Sequence, residues 1–316
     1  MQFLNLKSCS SAIDRFLLAP GDLRILNVVR PMFGIFLAIN LLFLWPDRQL
    51  FFGAEGLFPD EIYDKFSSAS WRMTTFVPRT AWGVDAYFLS LFFFIGSLIC
   101  GWYPRCSALC VFMLLSGLYN SNTLIFDGED TVFRLFAFYL IFAPGPQQIK
   151  EAGLPGQANS TPYPIWPLRL FQVQMTALML ACVWQKLRGE SWLDGTAMYY
   201  VFRLHDFQKF PLPEFITENL LILKVMTWSV ILFEISAPIL IWFKRTQLPA
   251  IIALLAFHLM TDLTMNLMMF HWIMITGWMS FVIYDDFSAL RGLFWRQSDA
   301  ERNEAPLLSA NEAVSL

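Results

Sequence analysis

Apolar runs of roughly the length that crosses a bilayer alternate along this chain with short polar turns and two longer loops. The first run covers 25–45, with Arg30-Pro31 near its start as an end anchor and a local kink. A loop over 46–82 follows, broken by Pro59 and Pro78 and rich in aromatics (Trp71, Phe76, Trp82), which suits a segment lying on the membrane surface or folding back into it. Runs at 84–102 and 107–126 are joined by the tight turn Tyr103-Pro104-Arg105, so they run antiparallel. The acidic turn 127–130 introduces a short run over 131–142, and a Gly/Pro/Ser-rich loop spans 144–164. Further runs cover 165–187 and 220–243, and 248–284 is long enough for two, with a hairpin near 262–270. Between them, Asp194 is placed to cap an amphipathic helix over 196–205.

The pattern predicts an all-α, polytopic helical membrane protein of about eight transmembrane helices, with interfacial helices and no soluble domain. Its parts are an interfacial N-terminal segment (1–24), in which Ile13, Phe16 and Leu17 share one face, a transmembrane domain (25–285), and a polar tail (286–316) expected to be disordered.

Composition narrows the function classes. Only 15% of the 316 residues are charged and 56% are hydrophobic, whereas a soluble domain carries about a quarter charged residues. A soluble enzyme is excluded. A net charge of -3 offers no basic footprint for nucleic acid. Eight spans put both termini on one side, together with Lys7, Arg15, Arg24, Arg105, Lys150, Lys244 and Arg245, mostly beside short turns; the termini are therefore expected in the cytoplasm. With no organelle signal, the plasma (inner) membrane is the expected location. Five cysteines imply no paired framework. Cys106 and Cys110 lie one helical turn apart without a neighbouring His or acid, so packing is preferred to a metal site.

Polar residues inside apolar runs carry the candidate chemistry. Lys186 ends the 165–187 run. Desolvation would make it a base near neutral pH, and snorkelling to the headgroups is the alternative. Glu234 lies deep in its run, where a carboxylate is either paired or functional; Arg134 is a partner of the right charge. Pro238, four residues on, frees the Glu234 carbonyl and bends the helix. His258 and Asp262 share a helical face, which fits Asp holding a His tautomer, two ligands of a metal, or a packed histidine; His271 follows. In the acidic turn, Asp130 serves as a helix cap or as part of a site with Glu129. Under the eight-span count this turn, Lys186 and the hairpin near Asp262 face the same compartment.

Five stretches in order carry a family resemblance. They are Leu135-Phe136-Ala137-Phe138; Gln174-x11-Lys186-Leu187 with Trp192-Leu193-Asp194-Gly195-Thr196-Ala197-Met198; Leu232-Phe233-Glu234-Ile235-Ser236-Ala237; Phe257-His258-x-Met260; and Met269-Phe270. The chain resembles, over about 20–290, the membrane region of vitamin K-dependent gamma-glutamyl carboxylase and the bacterial horizontally transferred transmembrane (HTTM) proteins grouped with it.

The resemblance implies a lysine base at Lys186 that deprotonates vitamin K hydroquinone, or menaquinol in a bacterial source. Oxygen then gives a strongly basic alkoxide, a glutamate carbanion takes up carbon dioxide, and the quinone leaves as an epoxide. It places His258 in the site with Glu234 ordering it, and Gln174, Trp192 and Asp262 around the cavity. Where the animal enzyme has a histidine in the turn before the fourth span, this chain reads Gly128-Glu129-Asp130, so Glu129 or Asp130 would take that role. The animal enzyme's lumenal, propeptide-binding domain has no counterpart in these residues, which leaves the acceptor substrate open. The expected partners are membrane lipid, the quinol and that acceptor, without metal or nucleic acid. Two readings from other classes stand beside this one: a carrier of a small molecule or lipid with a pathway lined by Glu234 and Arg134, and a non-catalytic membrane subunit.

Overall fold

The structure, a computed structural model, describes residues 6–58, 65, 71–156 and 161–284. The polar tail 286–316 and part of the first long loop lie outside the described residues. The chain up to Phe281 makes one compact unit, and the segment from Val282 is a separate one.

The compact unit is all-α among the described residues. In chain order its longer helices are α1 (Leu6–Leu18), α2 (Leu26–Leu44), α3 (Ala81–Cys100), α4 (Pro104–Ser121), α5 (Gly128–Phe142), α6 (Pro146–Ala152), α7 (Trp166–Lys186), α8 (Leu220–Leu240), α9 (Gln247–Thr264) and α10 (Phe270–Trp278). Five of these, α2, α3, α7, α8 and α9, are long and apolar enough to cross a membrane. The expectation was eight. Of the other three runs, α5 and α10 are too short to meet the same standard, and α4 carries Arg105, Asn120 and several serines. The loop expected over 144–164 contains α6, and the helix expected over 196–205 is only Ala197–Val201.

The spanning helices expose apolar side chains that water would not tolerate as a continuous surface. Leu221, Leu232 and Phe93 are each about 70% exposed, and Trp82, Trp102, Tyr103 and Trp184 stand out near helix ends, where an aromatic belt meets headgroups. This is a multi-pass helical membrane protein.

Local chemistry sets the turns. Gly101 (φ 74°) closes α3: its amide reaches the Leu98 carbonyl at 3.2 Å and the Trp102 amide reaches Ser97 at 2.9 Å, a left-handed C-terminal motif that favours glycine. Pro104 then starts α4 with φ already set. The first loop folds back onto α4, where the Met73 amide meets Ser121 Oγ at 2.7 Å and the Trp71 indole meets the Met113 carbonyl at 3.2 Å. Arg79 holds that loop by donating to the carbonyls of Phe52, Gly53 and Phe58. Interior contacts are tight where glycine permits them. A Cβ on Gly277 of α10 would lie 2.2 Å from Met175 Sδ of α7, and one on Gly34 of α2 would lie 2.5 Å from Ile99 of α3.

Candidate functional site

Lys186 is the last residue of α7, and Glu234 faces it from the C-terminal half of α8. Lys186 Nζ bonds both carboxylate oxygens of Glu234. The Glu234 side chain is 6% exposed and that of Lys186 23%, so the carboxylate is buried in the helix contact and the lysine is partly exposed. Arg134 is one cation the sequence offers to Glu234; the structure pairs Glu234 with Lys186, because the C-terminal end of α7 packs along α8.

The Trp192 ring lies 5.0 Å from Lys186 Nζ, at cation–π distance. A folded turn keeps it there. Asp194 Oδ1 accepts from the Thr196 amide (2.8 Å) and hydroxyl (2.6 Å), which holds the Asp194 carboxyl below its ordinary range. Asp194 therefore closes the turn, and the helix cap expected of it falls to Thr196. Gly195 takes φ 82° against Lys224 and Trp228, a backbone that disfavours any side chain. The Trp228 indole reaches the Leu193 carbonyl at 3.4 Å and fixes the turn on α8.

His258 lies on α9 and is buried. Of the three readings open for it, pairing with Asp262, a metal pair and a packed, hydrogen-bonded histidine, the structure shows the last. His258 faces α10: its Nδ1 lies 3.2 Å from Nδ1 of His271, and its Nε2 accepts from the Trp278 indole at 3.1 Å. Asp262 takes Lys209 Nζ at 3.1 Å, and that lysine belongs to a segment whose backbone pairs with the end of α9. Phe257 stacks near Phe233, beside Glu234, at 4.9 Å between centroids, so an aromatic contact joins the histidines' helix to the Lys186–Glu234 helix pair.

The acidic turn packs elsewhere. Asp127, not Asp130, caps α5, by accepting from the Glu129 amide at 2.8 Å; Asp130 answers by accepting from the Asp127 amide at 3.0 Å. Asp130 also takes Asn40 of α2 and faces the Tyr119 hydroxyl of α4. Glu129 turns its carboxyl to the amides of Met269 and Phe270 at the start of α10. Burial pushes Glu129 up from 4.5 to about 8, with the charges of Asp127 and Asp130 adding to it. Burial likewise lifts Asp130 from 3.8 to about 6, against the hydrogen bonds it accepts. The carboxylate bonded to Lys186 is thus Glu234, while Glu129 joins the acidic turn to the hairpin that carries His271.

Gln174 is not beside Lys186. Twelve residues of helix put about 18 Å between their backbones, and Gln174 accepts from the Tyr139 hydroxyl at 2.8 Å in the α5–α7 contact. Two residues that sequence reasoning left out of the site, His271 and Trp278, complete the histidine chain. Their seven-residue spacing on one face of α10 was the available signal. Among the described residues no group of three His, Cys, Asp or Glu side chains is arranged to hold a metal.

A family model described as the HTTM domain matches residues 19–286. No curated protein and no solved structure matches the chain.

Proposed function

As the chain belongs to the HTTM domain family, we propose that it is a carboxylase-like membrane enzyme in which the Lys186–Glu234 pair handles the hydroxyl proton of a bound vitamin K-type hydroquinone. The observation that carries this reading is the pairing itself: a lysine and a buried carboxylate from separate helices, bonded to each other with the Trp192 ring beside the ammonium. In an apolar surround an ion pair and its neutral form, amine beside carboxylic acid, approach each other in energy. Transfer of the Nζ proton to Glu234 gives a neutral amine, and that amine takes a proton from a hydroxyl held against it. Glu234 stores the first proton, and Trp192 limits the water that reaches Nζ.

The residues present fit a quinol. An apolar ring with two polar oxygens matches aromatic side chains interspersed with few polar groups, and two buried atoms here, His271 Nε2 and Glu129 Oε2, have no hydrogen-bond partner among the described residues. When bound, the reduced quinone supplies, with oxygen, the strong base needed to remove a carbon-bound proton from an acceptor, and is released as its epoxide. The acceptor and the carboxylation that follows rest on the family resemblance. The same reading takes 107–126, 131–142 and α10 as the remaining spans of an eight-helix topology, with the acidic turn 127–130 outside them and both termini on the cytoplasmic side of the plasma (inner) membrane.

The test is purified protein in nanodiscs with menaquinol or vitamin K hydroquinone, oxygen and bicarbonate, read by mass spectrometry for the epoxide. Epoxide from the wild type, lost in Lys186→Ala and in Lys186→Arg, is the expected result. Arginine keeps the charge and the pair but does not deprotonate. No epoxide from folded wild-type protein contradicts the proposal, and Glu234-dependent flux of a solute into proteoliposomes would replace it with a carrier.

A further inference from the structure

The hydrogen-bond directions around His258 are fixed by chemistry. An indole N–H only donates, so His258 Nε2, which receives Trp278 Nε1 at 3.1 Å, carries no proton. A ring with one bare nitrogen holds its proton on the other, so His258 is protonated at Nδ1. That atom lies 3.2 Å from His271 Nδ1, and a hydrogen bond between them needs one proton only. His271 Nδ1 is therefore the acceptor, and the His271 proton sits on Nε2. This Nε2 is buried and has no hydrogen-bond partner among the described residues, in a side chain belonging to a residue only 2% exposed.

Trp278 thus sets the tautomers of two histidines in series and leaves an N–H donor at the end of the chain. A buried donor left without an acceptor is costly. We propose that His271 Nε2–H binds an oxygen of the bound quinone or quinol, and that His258 and Trp278 are positioning residues that hold this donor in place. The site lies at the first turn of α10, where Glu129 also presents Oε2 without a partner among the described residues. A donor aimed at a carbonyl or at a developing quinolate oxygen stabilises charge that grows during deprotonation. On this account the contact with the ligand passes from His258, which has both nitrogens engaged, to His271. The ligand rests on the function proposed above; the tautomer assignment does not.

The test is solid-state NMR of histidine-labelled (¹⁵N) protein in lipid, before and after a short-chain menaquinone is added. Three histidines make the assignment tractable with single His→Gln variants. The expected spectrum shows His258 protonated at Nδ1 and His271 at Nε2, and the His271 Nε2 signal alone shifts strongly on saturation with the quinone. Trp278→Phe removes the donor that fixes the tautomer, mixes the two forms and weakens quinone binding roughly three- to tenfold, the size of one hydrogen bond. The reverse tautomers, an unmoved His271 signal with quinone bound, or no quinone binding would each overturn the proposal. Lysine-dependent epoxide with an unmoved His271 signal refutes this inference alone. A shifted signal without epoxide refutes the proposed reaction and leaves the donor standing.

Discussion

At the scale of single residues, the Lys186–Glu234 pair combines a buried carboxylate with a partly exposed lysine. Removing one partner leaves the other charge without compensation. Glu234→Leu or Lys186→Met alone should cost about 3 kcal/mol of stability, and the two together much less; thermal unfolding in detergent of the two single variants and the double reads this, and additive losses would contradict it. Glu129 and Asp130 make a separate prediction. Both titrate higher in the folded protein than in an unfolded chain, so the folded state holds protons that the unfolded state releases. Their stabilisation is complete below about pH 4 and is lost as pH rises towards about 8. Above about pH 6 the remaining slope belongs to Glu129, so Glu129→Gln should flatten a denaturation curve between pH 6 and 8. A wild-type stability that rises through that window on account of this turn would be the wrong sign.

At the scale of elements, close helix contacts rest on missing side chains. Gly277 lets α10 settle on Met175 and Phe136, and a Cβ there would meet them at 2.2 and 2.8 Å. Gly277→Val should destabilise by about 2 kcal/mol through overpacking, with too small a gain in helix propensity to offset it; Met175→Ala in the same protein should recover part of the loss in Tm, and no recovery would place the strain elsewhere. Much of this level was legible in the sequence. The apolar runs gave α2, α3, α7, α8 and α9 to within a few residues, because length and uncharged composition are properties of one segment. Lys186, Glu234 and His258 stood out for the same reason, as costly groups in apolar stretches. What escaped was pairing. Glu234 had two cations on other helices available, Arg134 and Lys186, and only the packing of α7 along α8 selects between them. His258 had Asp262 one turn away but bonds His271 and Trp278 of α10, while Asp262 pairs with Lys209. Asp127 and Asp130 divide one cap between them, a reciprocity that composition does not reveal.

At the scale of the whole molecule, the helices expose apolar surface outwards and bury Glu129, Asp130, Glu234, His258 and His271 on α5, α8, α9 and α10. That inversion suits a reaction needing a base kept from water, on a hydrophobic substrate that enters from the bilayer. Under the proposed function the Lys186–Glu234 pair is the proton-handling unit, so its two members should act together in catalysis. The most direct measurement is the initial rate of epoxide formation by wild type, Lys186→Ala, Glu234→Gln and the double variant in nanodiscs, each checked for folding. The account predicts a loss on the order of 100-fold for each single variant, and no further loss in the double. An unimpaired Glu234→Gln, or a double variant whose loss is the product of the two singles, would contradict the pair as the proton-handling unit.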